Sequence, residues 1–471
     1  QSRYSLVDLV ERYSSARFPQ DDPASTGQLD LGGTAIDESQ RAGRDCLAIA
    51  HVAQTLTAAL QTHGMLTLYQ EMENPLVRVL ARMEHLGIAV DVVQLKSIAA
   101  RLTAEVGELS LALQAVVGHP FNTNSPAQLG KILFEERGLT PPRKTKTGYS
   151  TDVATLEKLR DSWPEFIDPL MRYREVEKLR GTYGEGLLSE VAADGRIHAT
   201  FNQTVTRTGR LSSDQPNLHN IPVRTEEGRI FRTAFVPSAG WRLMVADYNQ
   251  IELRCIAHLA QDPGLIAAFT TGQDVHSATA ARVFGVEESA VTHEQRSKAK
   301  MVSYGLAYGM EAFGLGQRLG IRTDEAATIL DAYFAAFPNV QSYMDDTVAQ
   351  AKSRGYTETL FGRRRRIPEL DSSNFRIRQA GERQAMNAAI QGLAADIFKI
   401  ALIRIDQALS DSALASRLVL QVHDEVLVES PLNEVEVVDA LVLQIMEQAT
   451  KLDVPLAVNS AWGSTWAEAK S

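Results

Sequence analysis

Cysteine is nearly missing. Cys46 and Cys255, the only two in 471 residues, are too few and too far apart for a disulfide framework or a thiolate metal site, so a reducing compartment is expected and zinc chemistry is not. No apolar run comes near the roughly 20 residues that a membrane helix needs, and no charged-then-apolar segment opens the chain. A soluble, cytoplasmic protein with no membrane partner is expected. Positive charge is also in deficit, with 48 lysines and arginines against 58 aspartates and glutamates and a net charge of -10. Taken alone, this speaks against nucleic acid, whose phosphates call for cations. The distribution reopens the question. Acidic residues crowd the start (Asp21, Asp22, Asp30, Asp37, Glu38), whereas arginines gather at Arg363 to Arg366, Arg376, Arg378 and Arg383, with Arg143, Lys144 and Lys146 elsewhere. A basic groove on an acidic body fits this pattern.

What is present is length and periodicity. With 44% apolar residues the chain can fill more than one core, since a single core rarely extends beyond roughly 250 to 300 residues. At least two lobes are expected. Gln1 in first place suits a piece of a longer protein. Residues 1 to 74 read as a small helical region with a Gly/Asp/Pro-rich interruption from Pro19 to Gly43. Amphipathic helices follow from Val93 to about Val117 and from Trp163 to Tyr183, with the polar loop Pro141 to Thr151 between them. Strand-like HATFNQTV and RLMVADY precede a mostly helical stretch from Ile251 to Ala351 and a helix from Phe375 to about Leu409. The pattern SRLVLQV-HD-EVLVES reads as a hairpin, and a helix and LAVNSAWG close the chain.

Two apolar strands end on carboxylates, Asp247 in MVADY and Asp424 with Glu425 in VLQVHDEVLVE. A carboxylate buried without a cation is unfavourable, so each invites a metal ion or is merely a turn or strand-end residue. Magnesium suits so sparse a set, because it takes oxygen ligands, keeps waters and completes its shell with substrate phosphates. Two ions could serve an in-line phosphoryl displacement. Neighbours on a regular strand point to opposite faces, so at most one of Asp424 and Glu425 is a direct ligand, and Asp424 is chosen.

Arg296, Lys300, Tyr304 and Tyr308 recur every four residues. On a helix they make one stripe of two cations and two rings, suited to a triphosphate followed by a base, or else a solvated basic face merging into core aromatics. Gly305 and Gly309 let backbone approach substrate or let a neighbouring element pack closely. Arg383, Asn387 and Gln391 form a second stripe whose donors could meet minor-groove acceptors without reading sequence. The arginine run at 363 to 366 and the loop at 144 to 146 could contact phosphates or simply face water.

These segments resemble the family A DNA polymerases, specifically the Klenow-type polymerase portion of the bacterial DNA polymerase I enzymes. The likeness runs from about Pro75 to the C-terminus. DYNQIELR, R-x3-K-x3-YG-x2-YG and VHDE occur in order, accompanied by TGRLSSDQPNLHNIPVRTEEGR, DVHSATA, TLFGRRRRIPEL and MNAAIQGLAADI. VAADGRIHATFNQT and YGLAYG are similar to actinobacterial or related phage enzymes. The resemblance implies an α+β right-hand polymerase with a palm containing an antiparallel sheet and helical fingers and thumb, preceded by a truncated exonuclease-like remnant. The remnant would span 1–74, a first piece of palm 75–92 and the thumb 93–191. Palm with the first motif would span 192–256, fingers 257–373 and the remaining palm 374–471.

The resemblance also implies roles. Asp247 and Asp424 would hold two Mg2+ ions, with Mn2+ able to substitute, assisted by the Tyr248 carbonyl and with Glu425 nearby. Arg296, Lys300 and His276 would bind the triphosphate, with Lys300 placed to protonate departing pyrophosphate. Tyr308 would stack at the nascent pair beside Glu252, whose bulk blocks a ribose 2′-hydroxyl. Gln250, Arg210, Arg224, Arg383, Asn387, Gln391, Lys144 and Lys146 would contact substrate or DNA, and His423 the primer end. Asn249 and His219 stand where serine and glutamine are usual. Tyr304 replaces the phenylalanine of many relatives, which implies ready dideoxynucleotide incorporation. Arg41-Ala42-Gly43-Arg44-Asp45 lacks the tyrosine of a Tyr-x3-Asp exonuclease motif, so no proofreading is expected. The implied activity is DNA-templated addition of dNTPs to a primer, by a monomer that acts in replication and repair with primer-template DNA as partner. A single-subunit RNA polymerase and a catalytically dead duplex-binding scaffold are the alternatives; Glu252 argues against the first, the intact Asp247, Asp424, Arg296 and Lys300 against the second.

Overall fold

The computed structural model describes residues 5–14, 38–142, 144–145, 148–222, 226–307 and 309–470. Helices Leu6–Tyr13 and Glu38–Thr62 pack on each other at the start. Helix α1 (Asn74–Leu86) leads into a two-residue strand, Ile88–Ala89. Helix α2 (Val92–Val117) starts where the Asp91 carboxylate accepts from Gln94 N at 2.9 Å, and it ends at Gly118 in the left-handed region. It packs along α3 (Pro164–Leu179) around a separate apolar core containing Leu113, Leu133, Phe166 and Leu170. Trp163 stacks on Phe166 at 4.4 Å. The expected division into more than one core is therefore present.

The larger core surrounds a four-stranded antiparallel sheet. It is built from β1 (Trp241–Tyr248), β2 (Arg417–Val422), β3 (Glu425–Pro431) and β4 (Val458–Gly463), in the order β2-β3-β1-β4. Between β1 and β2 the chain inserts the helices α4 (Ile251–Ala260), α5 (Val275–Phe284), α6 (His293–Ala307) and α7 (Phe375–Asp411), with others among them. Helix α8 (Val435–Glu447) joins β3 to β4 and lies on the sheet. The long α7 crosses behind α4 and buries Ile390, Leu393, Ile397 and Phe398. Of the strand-like HATFNQTV only Thr200–Asn202 is a strand, and it pairs with Ser212–Asp214. In the polar loop, Lys144–Thr145 pairs with Gly148–Tyr149, while Arg143, Lys146 and Thr147 lie outside the described residues.

The arginine run is not a free phosphate-binding stripe. Arg363 Nε donates to Asp396 Oδ1 at 2.6 Å, its guanidinium also pairs with Glu73, and Lys399 Nζ donates to the same Glu73 at 2.7 Å. Asp396 and Lys399 are fully buried. Gly209 lies against this cluster with φ +85, and a Cβ there would sit 2.6 Å from Arg363 Cδ. Only glycine fits that approach. Arg364 pairs with Glu358, and Arg365 donates to Gln384. Three of the four arginines thus hold neighbouring elements together.

Candidate active site

The site forms where two tight turns of the sheet meet two helices. Asp247 is the last residue but one of β1, flanked in register by Glu425 of β3 and Asn459 of β4. His423 and Asp424 are the two turn residues between β2 and β3, and His423 is left-handed at φ 59. Gln250, between β1 and α4, is also left-handed at φ 55. Such conformations are uncommon outside glycine and persist only where surrounding structure imposes them. Here the peptide N–H of Tyr248 donates to the Asp424 carbonyl at 3.2 Å, which locks one turn against the other and brings the two aspartates together.

The resulting cleft, of about 500 Å³, is lined by Arg210, Asp247, Tyr248, Gln250, Glu252, His276, Arg296, Lys300, Tyr304, His423 and Asp424, with Asn249, Ile251 and Asn459. Eleven residues from separate parts of the expected set thus share one cavity. The helical spacing of Arg296, Lys300 and Tyr304 holds, since all three lie on α6. Arg296 pairs with Asp274 at 2.6 Å, and despite partial burial that bond holds the Asp274 carboxyl down to about 2. The guanidinium is therefore pre-aimed by a carboxylate at the start of α5. His276 is pushed down to about 4 by burial and by Lys300 and Arg296, so it is neutral at neutral pH. Its buried Nδ1 has no protein partner among the described residues. The Tyr304 ring lies 5.7 Å from the His276 ring.

On the opposite wall, Arg210 donates to Glu252 Oε1 at 2.6 Å, and Glu252 is buried. Burial, followed by the neighbouring Asp424 charge, pushes Asp247 up to about 6; burial raises Asp424 as well. Both carboxylates thus favour a positive partner. Tyr248 turns its ring away from the cleft, where its hydroxyl donates to the Met446 carbonyl at 2.7 Å. Only its main chain can serve the cleft. Two carboxylates and a carbonyl are hard oxygen donors, which suits magnesium or manganese. Among the described residues no three His, Cys, Asp or Glu side chains are grouped to hold a metal. A hard ion here needs further oxygens from water or phosphate.

Other expected residues stand elsewhere. Glu425, the register partner of Asp247, does not line the cleft and is 2% exposed, with Oε1 accepting from Trp466 Nε1 at 2.7 Å and Oε2 taken by Lys470. Arg383, Asn387 and Gln391 lie along α7, where Arg383 pairs with Glu311 at 3.0 Å and the buried Asn387 Oδ1 has no protein partner among the described residues. Gly309 packs on this helix, a Cβ there reaching 3.1 Å from Arg383 Cβ. Both this close packing and its φ of +64 favour glycine at that position. Tyr308, Arg224 and Lys146 lie outside the described residues, and Lys144 pairs with Tyr149 in its hairpin. Asn459 and Lys470 went unread in the sequence. Asn459 could have been found from strand alternation in LAVNSAWG; Lys470 carries no sequence signal.

His219 sits under the turn, its Nε2 3.0 Å from the Gln421 amide nitrogen and its ring 5.5 Å from His423. Burial and the His423 charge push it down to about 4. Its stabilising contribution is full above pH ~6.5 and is lost as pH falls toward 4, because only the unfolded chain takes the proton early. By pH 5 this removes about 2 kcal/mol. Thermal melts of His219→Gln are expected to show less acid sensitivity between pH 7.5 and 5 than wild type. Equal sensitivity would exclude His219 as the cause.

A model of DNA polymerase family A matches residues 92–468. The DNA polymerase I of Bacillus subtilis is 48% identical over 434 residues, covering 92% of this chain and 49% of that protein. The DNA polymerase I of Mycobacterium tuberculosis is 47% identical over 472 residues, 99% of this chain and 52% of that one. The chain therefore spans about half the length of these relatives. Among solved structures, the polymerase domain of Pol1 from M. smegmatis, in complex with DNA primer-template and dNTP, is 44% identical with a TM-score of 0.91, covering 100% of this chain and 80% of that chain.

Proposed function

The chain belongs to DNA polymerase family A, and from that premise we propose that it is a DNA-directed DNA polymerase adding dNTPs to a primer 3′-hydroxyl with release of pyrophosphate. The observation that carries this is the single cleft in which Asp247 and Asp424 share a cavity with Arg296, Lys300 and His276. The similar M. smegmatis structure holds primer-template and dNTP, and the same ligands are proposed here. No described helix is long and apolar enough to cross a membrane. Lobe boundaries at 75, 93, 192, 257 and 374, a degenerate exonuclease remnant before them and the lack of proofreading belong to the same proposal.

Asp247, Asp424 and the Tyr248 carbonyl would hold two Mg2+ ions, or Mn2+. When bound, such ions supply Lewis-acid activation of the attacking hydroxyl and stabilise the leaving oxygen. Arg296, fixed by Asp274, offers a fork to phosphate oxygens, and Lys300 one turn along offers a point charge and a proton for departing pyrophosphate. Neutral His276 can donate to a phosphate oxygen. Tyr304 lies beside it at the sugar. Glu252, held by Arg210, presents a buried wall where a 2′-hydroxyl would stand. Arg383, Asn387 and Gln391 offer donors along one face of α7 to the minor groove, where they can sense pair geometry.

Primer extension with dNTPs against rNTPs tests this. Wild type is expected to use dNTPs by a wide margin, and Glu252→Ala to narrow it by about a hundredfold, since an unblocked pocket rejects an added hydroxyl only weakly. Equal use of both sugars by wild type would favour an RNA polymerase instead.

A further inference from the structure

Lys470 belongs to no motif, yet its ammonium lies 3.4 Å from Asp247 Oδ2 and in contact with Glu425. Its place is fixed by the turn before it. The helical segment Trp466–Ala469 packs on β1 and β4, and Trp466 is fully buried, edge-on to Phe235 at 5.4 Å. Trp466 also takes the other oxygen of Glu425. Glu425 thus has both carboxylate oxygens committed, one to the indole and one to the lysine, and serves as the anchor of that lysine. A cation supplied by the chain itself stands beside one of the two carboxylates that fit a divalent ion.

We propose that Lys470 is a positioning residue that acts as a resident counter-cation, keeping the carboxylate pair weak for divalent ions until a triphosphate arrives. The inference rests on reading Asp247 and Asp424 as metal ligands. An ammonium in contact with a ligand carboxylate repels an incoming double charge and competes for Asp247 Oδ2. In the nucleotide-free protein its single charge offsets one of the two negative charges of Asp247 and Glu425. A triphosphate adds several anionic oxygens and outweighs the single lysine charge. Ion occupancy is thereby coupled to nucleotide arrival.

The test is Mn2+ titration of DNA-free, nucleotide-free protein, with free Mn2+ read from its paramagnetic resonance signal. Lys470→Met is expected to bind at a free Mn2+ concentration at least fivefold lower than wild type does, and Lys470→Arg, which keeps the charge, to stay within twofold of wild type. The Glu425→Gln/Lys470→Met double variant, which removes both partners, is expected to behave as Lys470→Met does and serves if the single variant fails to fold. Unchanged or weaker binding on loss of Lys470 would overturn the proposal. So would tightened binding that persists when Asp424→Asn is added, because the ion would then lie elsewhere. Failure of wild type to extend a primer would instead strike the polymerase reading, and the Mn2+ titration would still judge Lys470.

Discussion

Asp424→Ala is expected to lower single-turnover primer extension on the order of a thousandfold, equivalent to about 4 kcal/mol of transition-state stabilisation. Primer-template affinity is expected to change less than about threefold, because duplex binding rests mainly on many phosphate contacts. The turn itself should survive, since the left-handed φ 59 belongs to His423 and the Tyr248 N–H bonds to the main-chain carbonyl of residue 424. Stability is expected to hold or rise. Asp424 is a partly buried acid whose proton affinity is raised by burial, and removing it also relieves Asp247. A variant that melts at or above the wild-type temperature, binds primer-template and fails to extend it separates chemistry from folding. Extension within tenfold of wild type would remove Asp424 from the reaction.

The second large effect is on the fold. Arg363→Met is expected to destabilise the protein by about 3 to 5 kcal/mol, the usual consequence of leaving a buried charge without its partner. Asp396 is then left with the Thr359 hydroxyl, at 2.6 Å, in place of its arginine, whereas Glu73 keeps Lys399 and the Gln203 amide. Adding Asp396→Asn should recover part of the loss, since the two residues are directly coupled. Urea unfolding midpoints of the single and double variants measure both numbers. A loss under about 1 kcal/mol for Arg363→Met would mean that the arginine is a surface cation after all.

These effects mark what could be read before folding. Arg296, Lys300 and Tyr304 were legible because helical spacing is local, and four-residue recurrence alone puts them on one face of α6. Asp247 and Asp424 were legible as carboxylates ending apolar strands, and the two-residue turn at His423-Asp424 followed from the pattern on either side. Burial was not legible. Arg363 to Arg366 read as one solvated or phosphate-binding run, yet Arg363 is enclosed by residues from three distant segments. Long-range closure was equally hidden: Lys470 reaches Asp247 across 223 positions of sequence. Asn459 enters the site only because β4 pairs with β1 in that register. Glu425 was read as standing near the metals; its commitment to Trp466 and Lys470, on the sheet face it shares with Asp247, depends on a final turn with no periodic signal.

The most direct measurement is one-nucleotide extension by wild type on four primer-templates differing only in the next template base, each offered the four dNTPs singly with Mg2+. The expected result is one complementary nucleotide added and one pyrophosphate released per primer. Tight primer-template binding without addition, or addition independent of the template base, would contradict template-directed synthesis at this cleft.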